Sequence, residues 1–190
     1  MSFLNELRLK RSGLKAAQTT ITYPDGTKYL ETENGLQQLA DKSCGFVIDT
    51  KPDKVPALII NGLLLGSQDS VDPQNIQEYG ITHILSVGIP SPEIDAANVK
   101  FHHLPCLDLP ETDLFPVIQA SSQFINEATD SGGTVLIHCN AGVSRSAAVV
   151  VGFLINVKKM SFEDAYQLVK SKRECIQPNA GFIKQLKSLH

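Results

Sequence analysis

A cysteine and an arginine six residues apart, Cys139 and Arg145, could together bind and attack a phosphate ester. Cys139 follows an apolar run at residues 134–137, and Arg145 opens a helical pattern that continues through Ile155. The N-terminus of such a helix offers unpaired N–H groups and partial positive charge, which bind anions and stabilise a thiolate. A guanidinium binds two phosphate oxygens with its planar fork. The spacing therefore predicts a nucleophile and an anion cradle in one loop, the arrangement needed for phosphoryl transfer through a covalent intermediate.

The alternative is a buried structural cysteine ahead of an ordinary helix, since free cysteine is among the most buried residue types. The joint pattern His-Cys-x-x-Gly-x-x-Arg argues against it, because average residue usage produces this pattern by chance in about one in a few thousand chains of this length. The other cysteines lack the arginine: six residues after Cys44, Cys106 and Cys175 stand threonine, threonine and glycine. The pattern therefore favours chemistry at Cys139.

Thiolate attack on a phosphate ester also needs a general acid that protonates the leaving oxygen. The carboxyls in predicted loops are those of Asp95, Asp108, Glu111 and Asp113. Asp108 directly follows a strand pattern, which would place it at the same sheet edge as Cys139. The residues alone leave the choice open between Asp108, Glu111 and Asp113, with a helix N-cap as the structural alternative.

The elements that must position these groups alternate between strands and helices. Strands are predicted at residues 57–60, 62–65, 82–87, 99–107 and 134–137, and helices at residues 72–79, 114–128, 145–157, 161–173 and after Asn179. This alternation predicts an α/β fold with a central, mostly parallel sheet flanked by helices. Ligands of such sheets lie outside the carboxyl ends of the strands, where Cys139 falls.

An N-terminal extension is predicted over residues 1–54, ahead of a domain at 55–190. Residues 1–17 interleave basic residues with leucines; they predict an exposed amphipathic helix, and the alternative is a docking segment of the kind that kinases recognise. Residues 19–23 and 27–31 flank a Pro-Asp-Gly turn and predict a β-hairpin. Residues 33–56 are predicted to be a linker.

Composition bounds the class of protein. The 190 residues are 42% hydrophobic and 19% charged, which is ordinary for one globular domain with an extension. A net charge of −3 gives no argument for nucleic acid as a partner, and no apolar run or lipidation motif predicts a membrane anchor. Four cysteines without paired spacing predict a reducing compartment, the cytoplasm or also the nucleus. The oligomeric state is left open.

The stretch His138-Cys-Asn-Ala-Gly-Val-Ser-Arg-Ser146 resembles the signature loop of the cysteine-dependent protein tyrosine phosphatase superfamily, in the form of the compact dual-specificity phosphatases. Stretches at residues 62–69, 82–86, 107–112 and 178–182 resemble the atypical members, which lack a rhodanese-like domain. The resemblance covers roughly residue 55 to the C-terminus. It implies the three-layer fold of the dual-specificity phosphatases, with no cofactor and no metal.

The resemblance also implies a role for each site residue. Cys139 would be the nucleophile, Asp108 the general acid, and Arg145 the phosphate-binding cation. Ser146 would donate to the cysteine sulfur and help the thiolate to leave; the alternative is an ordinary serine at a helix start. Phosphate would be bound by the loop residues Asn140, Ala141, Gly142, Val143, Ser144 and Arg145.

Two residues near Cys139 in the sequence or in the predicted fold, His138 and Cys106, are expected to have structural roles. His138 is expected to orient the loop from a buried position. Cys106 is expected to be a core cysteine, the alternative being a disulfide partner for an oxidised Cys139. Where family members often carry Arg-Pro near the end of the penultimate helix, this chain has Arg173 followed by glutamate, so the helix could run on.

The uncharged side chains of the loop favour phosphoprotein substrates over phosphoinositides. A short domain predicts a shallow pocket that accepts phosphotyrosine as well as phosphoserine and phosphothreonine. By the resemblance, MAP kinases or their upstream kinases are the expected partners, in stress-activated signalling. The alternatives are a catalytically idle scaffold that binds phosphopeptides, and a phosphatase of phosphoinositides or RNA 5′-phosphates.

Overall fold

The computed structural model describes residues 19–23, 27–32, 35–40, 53–92, 94, 96 and 98–189. The chain divides into two compact units, Met1–Gly45 and Phe46–His190. The amphipathic or docking segment expected at residues 1–17 lies outside the described residues. The predicted start of the catalytic domain at residue 55 stays a prediction.

The first unit contains a three-stranded antiparallel sheet made of β1 (Thr19–Thr22), β2 (Lys28–Thr32) and β3 (Gly35–Gln38). The predicted hairpin corresponds to β1 and β2, which pair antiparallel. The prediction of a linker over residues 33–56 is wrong for β3, which pairs with β2. All four residues of β3 are exposed, so no buried face imposes the alternation of apolar and polar residues by which strands are recognised in a sequence.

The second unit is built on a five-stranded sheet. Its strands are β4 (Ala57–Ile60), β5 (Leu63–Gly66), β6 (His83–Val87), β7 (Lys100–Leu104) and β8 (Val135–His138), in the order β4-β5-β8-β6-β7. Only the pairing of β4 with β5 is antiparallel, which confirms the predicted mostly parallel sheet. The strand predicted over residues 99–107 ends earlier, at Leu104, because Pro105 has no N–H to donate to a ladder.

The helices lie close to their predicted positions. They are α1 (Pro73–Glu78), α2 (Phe115–Asp130), α3 (Arg145–Asn156), α4 (Phe162–Lys172) and α5 (Ala180–Lys187). Side-chain caps explain three of the starts: Asp72, Ser161 and Asn179 each accept a hydrogen bond from the backbone N–H three residues on. None of the helices in the described part of the chain is long and apolar enough to cross a membrane.

The centre of the second unit is the strand–loop–helix formed by β8 and α3. Every residue of β8 is buried, and α3 is buried from Ser146 to Ile155. β8 lies between β5 and β6 and runs parallel to both, with His138 opposite Gly66 and Ser86. The three strands therefore end at the same edge of the sheet, where the loop after His138 begins.

Candidate active site

The loop at residues 139–144 turns the chain from the end of β8 into the start of α3. Cys139 and Ala141 are buried within it. Gly142 has φ +70°, and a Cβ at this position would overlap the backbone carbonyl of Gly66. Only glycine can take this conformation so close to a neighbouring strand. The loop thus has a tight, compact backbone around the cysteine.

The sulfur of Cys139 accepts a hydrogen bond from Ser146 in the first turn of α3. The hydroxyl Oγ of Ser146 lies 3.1 Å from Sγ of Cys139, and both residues are buried. Such a hydrogen bond would stabilise negative charge that develops on the sulfur. The resemblance implies a hydrogen bond between these two side chains, and the structure contains it.

The carboxyl of Asp108 is held by two donors on its Oδ1 atom. Ser144 Oγ donates to it at 2.7 Å, and Asn179 Nδ2 donates at 2.8 Å. The backbone N–H of Asn179 donates to Ser144 Oγ at 3.2 Å, which leaves that hydroxyl free to donate its own hydrogen to the carboxyl. The second oxygen, Oδ2, faces Arg145 with a distance of 3.7 Å to Nε. The carboxyl, the loop and α5 are therefore one connected network.

Arg145 lies along the end of the neighbouring strand β6. A Cβ at Gly88, the first residue after β6, would come 2.5 Å from Nη1 of Arg145. Gly88 also has φ +81°, and a Cβ there would overlap the backbone carbonyl oxygen of Cys106. Both the backbone conformation and this neighbouring backbone therefore require glycine. Gly88 is a residue of the site that the sequence patterns did not single out.

His138 is a neutral, buried residue that braces the loop. Its Nδ1 lies 3.2 Å from the carbonyl oxygen of Cys139 and its Nε2 lies 2.7 Å from Ser86 Oγ. A carbonyl can only accept, so Nδ1 carries the hydrogen and Nε2 accepts from the serine. Burial lowers the pKa of His138 to about 4. This arrangement fits the orienting role expected from the sequence.

The carboxyls of Glu111 and Asp113 do not share this environment. Glu111 is exposed, and Asp113 Oδ1 accepts a hydrogen bond from the backbone N–H of Phe115, the first residue of α2. Asp95 lies outside the described residues. The geometry therefore favours Asp108.

Cys106 is a buried thiol near the site. Burial raises the pKa of Cys106 to about 11, so it stays protonated at neutral pH, as expected of a core cysteine.

Within the described residues, no group of three or more His, Cys, Asp or Glu side chains could hold a metal ion. The ring of His102, on the exposed strand β7, stacks on the ring of Phe124.

The contact between Arg173 and the loop at residues 139–144 could not be predicted from the sequence. α4 ends at Lys172 and does not run on, and Arg173 takes an extended conformation with φ −139° and ψ 92°. Its Nη2 donates to the carbonyl of Ala141 at 2.7 Å, and its Nε donates to the carbonyl of Gly142 at 3.0 Å. Asn179 was missed as well. The stretch at residues 178–182 carried the resemblance, but no local pattern connects its side chain with Asp108.

The site combines a buried cysteine at the carboxyl end of a central parallel strand with an arginine at the start of the next helix and a carboxyl beside that arginine. This combination is the one expected for the class of cysteine-dependent phosphatases. The comparisons with known proteins place the chain within that class. Residues 63–190 match the family model for the catalytic domain of dual specificity phosphatases. The chain belongs to the dual-specificity phosphatase family of protein phosphatases.

Individual relatives agree with this assignment. Dual specificity protein phosphatase 19 of Mus musculus is 36% identical over 186 residues, which cover 94% of this chain and 84% of that protein. Dual specificity protein phosphatase 1 of Arabidopsis thaliana is 33% identical over 180 residues, with coverages of 94% and 91%. The crystal structure of human tyrosine phosphatase-like serine/threonine/tyrosine-interacting protein is similar with a TM-score of 0.65 and 32% identity, over 71% of this chain and 95% of that chain.

Proposed function

We propose that this chain hydrolyses phosphotyrosine and phosphoserine or phosphothreonine in proteins through a phosphocysteine intermediate. The observation that carries the proposal is the meeting of three groups at one sheet edge. Cys139 receives the hydrogen bond of Ser146, and Asp108 lies beside Arg145. Together they supply a nucleophile, a proton donor and a cation, the parts that phosphoryl transfer needs.

In the first step, the thiolate of Cys139 attacks phosphorus. The S–P bond forms, the bond from phosphorus to the leaving oxygen breaks, and the equatorial oxygens bind the guanidinium of Arg145 and the N–H groups of the loop. Asp108 gives its proton to the leaving oxygen. Because Oδ1 is already occupied by Ser144 and Asn179, the proton travels on Oδ2.

In the second step, water attacks the phosphocysteine. Asp108, now a carboxylate, takes a proton from the water as the P–O bond forms and the S–P bond breaks. The sulfur leaves as a thiolate and is stabilised by the hydrogen bond from Ser146 Oγ. The products are inorganic phosphate and the starting form of the enzyme.

The experiment compares the wild-type chain with Cys139→Ser on an aryl phosphate and on doubly phosphorylated kinase peptides. We expect turnover of both substrates by wild type in reducing buffer and none by Cys139→Ser. Cys175→Ser is the matched control, because Cys175 is exposed and lies outside the loop; it should keep wild-type activity. Absence of wild-type turnover would contradict the proposal.

A second candidate is a scaffold that binds phosphopeptides without turning them over. It is favoured by the similarity to a solved protein whose own name describes it as phosphatase-like and as an interacting protein. The complete set of Cys139, Arg145 and Asp108 argues for catalysis instead. A chain that binds phosphopeptides but leaves the phosphate on them would support the scaffold.

Substrates other than proteins are disfavoured by the loop side chains. Asn140, Ala141, Val143 and Ser144 carry no charge, whereas the higher charge of a phosphoinositide or an RNA end calls for added cations. Soluble phosphoinositides and RNA 5′-phosphates therefore belong in the same assay, where slower turnover than on phosphopeptides is expected.

We propose MAP kinases or their upstream kinases as the partners, acting in stress-activated signalling in the cytoplasm and also the nucleus. The partner proposal is supported by the resemblance to the atypical dual-specificity phosphatases. A reducing location is supported by the free thiols of Cys106, Cys139 and Cys175. Retention of phosphorylated MAP kinases on the Cys139→Ser variant, lost on adding orthovanadate, would support the partner; equal retention of unphosphorylated kinases would count against it.

A further inference from the structure

Arg173 holds the outer side of the phosphate loop while lying outside the loop itself. It is 7% exposed. Its Nη2 binds the carbonyl oxygen of Ala141 at 2.7 Å, and its Nε binds the carbonyl oxygen of Gly142 at 3.0 Å. A single planar guanidinium thus contacts two consecutive peptide groups.

The orientation of these two peptide groups decides whether the loop can bind an anion. A trans peptide unit is planar, and its N–H points away from its C=O. Carbonyls of Ala141 and Gly142 that face Arg173 therefore turn the N–H groups of Gly142 and Val143 to the opposite side. An anion cradle needs N–H groups that converge in this way.

The two hydrogen bonds of Arg173 form a clamp on the loop, and this clamp lies where the loop backbone is least restricted. Gly142 has φ +70°, and a glycine populates positive and negative φ about equally. A flip of either peptide beside it would replace an inward N–H with an inward carbonyl, which repels a phosphate. Arg173 opposes that flip because its positive charge attracts the carbonyl oxygens.

Asp53 fixes the guanidinium in turn. Its Oδ2 accepts from Nη2 at 2.7 Å and its Oδ1 accepts from Nη1 at 3.3 Å. The backbone N–H of Asp53 donates to Oγ of Ser67, and Ser67 Oγ donates to the carbonyl of Asp53. Ser67 is fully buried directly after β5, so the sheet edge anchors Asp53. A buried cation without such a counter-charge would be costly.

We infer that Arg173 is a positioning residue that sets the anion-binding orientation of the loop at residues 139–144, and that Asp53 holds Arg173 in place for this task. Asp53 lies outside residues 63–190, the segment that the family model matches. The inference rests on the phosphate-binding role proposed above for the loop. Arg173 binds the carbonyl oxygens of Ala141 and Gly142 and does not contact the substrate. It acts on the substrate indirectly, through the loop N–H groups that it orients.

The test uses the full chain and measures inhibition by inorganic phosphate during turnover of an aryl phosphate. Asp53→Asn keeps the size of the side chain and removes its charge, so the inhibition constant of phosphate and KM should both rise about two- to fivefold. Arg173→Met removes the clamp, and both quantities should rise on the order of tenfold or more. Asp53→Glu keeps the carboxylate and should recover part of the loss.

Asp130→Asn is the matched control, because Asp130 is an exposed carboxylate at the end of α2; its phosphate inhibition should equal that of wild type. Thermal unfolding is measured for every variant. If Asp53→Asn lowers the melting temperature but leaves the phosphate inhibition constant unchanged, the pair is merely structural and the inference is overturned. Asp53→Asn carries the test even where Arg173→Met does not fold.

The outcomes also separate this inference from the proposed function. Wild type that neither turns over the aryl phosphate nor binds phosphate would overturn both. If wild type turns over the aryl phosphate and binds phosphate, and the Asp53→Asn and Arg173→Met variants have the same phosphate inhibition constant as wild type, only the positioning role is overturned.

Discussion

At the scale of single residues, the two carboxyl oxygens of Asp108 have different contacts and different roles. The Oδ1 atom of Asp108 is occupied by Ser144 and Asn179, and Oδ2 faces Arg145. Two hydrogen bonds orient the carboxyl so that one oxygen remains for proton transfer. Positioning of this kind is a large part of general acid catalysis.

Replacing Asp108 tests its role as the proton donor. Asp108→Asn keeps the shape of the side chain but has no proton to give, so turnover of substrates with poor leaving groups should fall by about 10²–10⁴-fold. Activated aryl phosphates, whose leaving group needs less help, should lose less, and KM should change little. Glu111→Gln, at an exposed neighbour in the same loop, serves as the control. If turnover falls equally for substrates with good and poor leaving groups, Asp108 is not the general acid.

His138 makes a prediction about stability and pH. Burial lowers its pKa to about 4, below its ordinary value near 6.5. The unfolded chain therefore binds the proton first as pH falls, and the folded state loses stability from about pH 6.5 down to about pH 4. This histidine alone should lower the free energy of unfolding by about 2 kcal/mol between pH 7 and pH 5.

Urea unfolding at both pH values measures the effect, with His138→Gln for comparison. Glutamine does not titrate, so the variant should lose less stability than wild type over this interval, whatever its stability at pH 7. The same loss of stability in both proteins would show that His138 is not held neutral by the fold.

At the scale of elements, α5 supports the loop that carries the general acid. A Cβ at Gly181, the second residue of α5, would overlap the backbone of Pro110, two residues after Asp108. The helix and the acid loop are therefore in backbone contact. Asn179, just before α5, binds the same loop through Asp108.

Gly181→Ala should separate these two elements. Alanine favours a helix by about 1 kcal/mol over glycine, so α5 itself does not suffer, but Pro110 must move and takes Asp108 with it. Turnover should fall by roughly tenfold to a hundredfold, as expected when a catalytic group is misplaced by about 1 Å. Lys184→Ala, on an exposed face of α5, is the control. If Gly181→Ala turns over substrate as fast as wild type, α5 does not position Asp108.

The elements themselves were largely readable from the sequence, for a physical reason. β8 and α3 are buried along most of their length, so burial imposes an apolar run that a local pattern can detect. β3 is exposed throughout and has no such pattern, so its sequence predicts a linker rather than a strand. β8 and α3 were therefore predictable because packing constrains their residues, whereas β3 lacks that constraint.

At the scale of the whole molecule, the site joins residues that are far apart in the chain. Cys139, Arg145 and Ser146 belong to one local motif, and that motif predicted the loop. The contact of Arg173 with Asp53 spans 120 positions, and no local spacing encodes it. Asp108 falls between these cases, since its position after a strand suggested it and the resemblance selected it over its neighbours.

The central claim is covalent catalysis by Cys139, and its most direct test is the intermediate itself. Wild-type enzyme mixed with a phosphorylated substrate is quenched rapidly in acid, and its peptides are examined by mass spectrometry. We predict one phosphoryl group on Cys139, absent from Cys139→Ser and unchanged in Cys175→Ser. Continued turnover with no phosphate on Cys139, or with phosphate on another residue, would contradict the account.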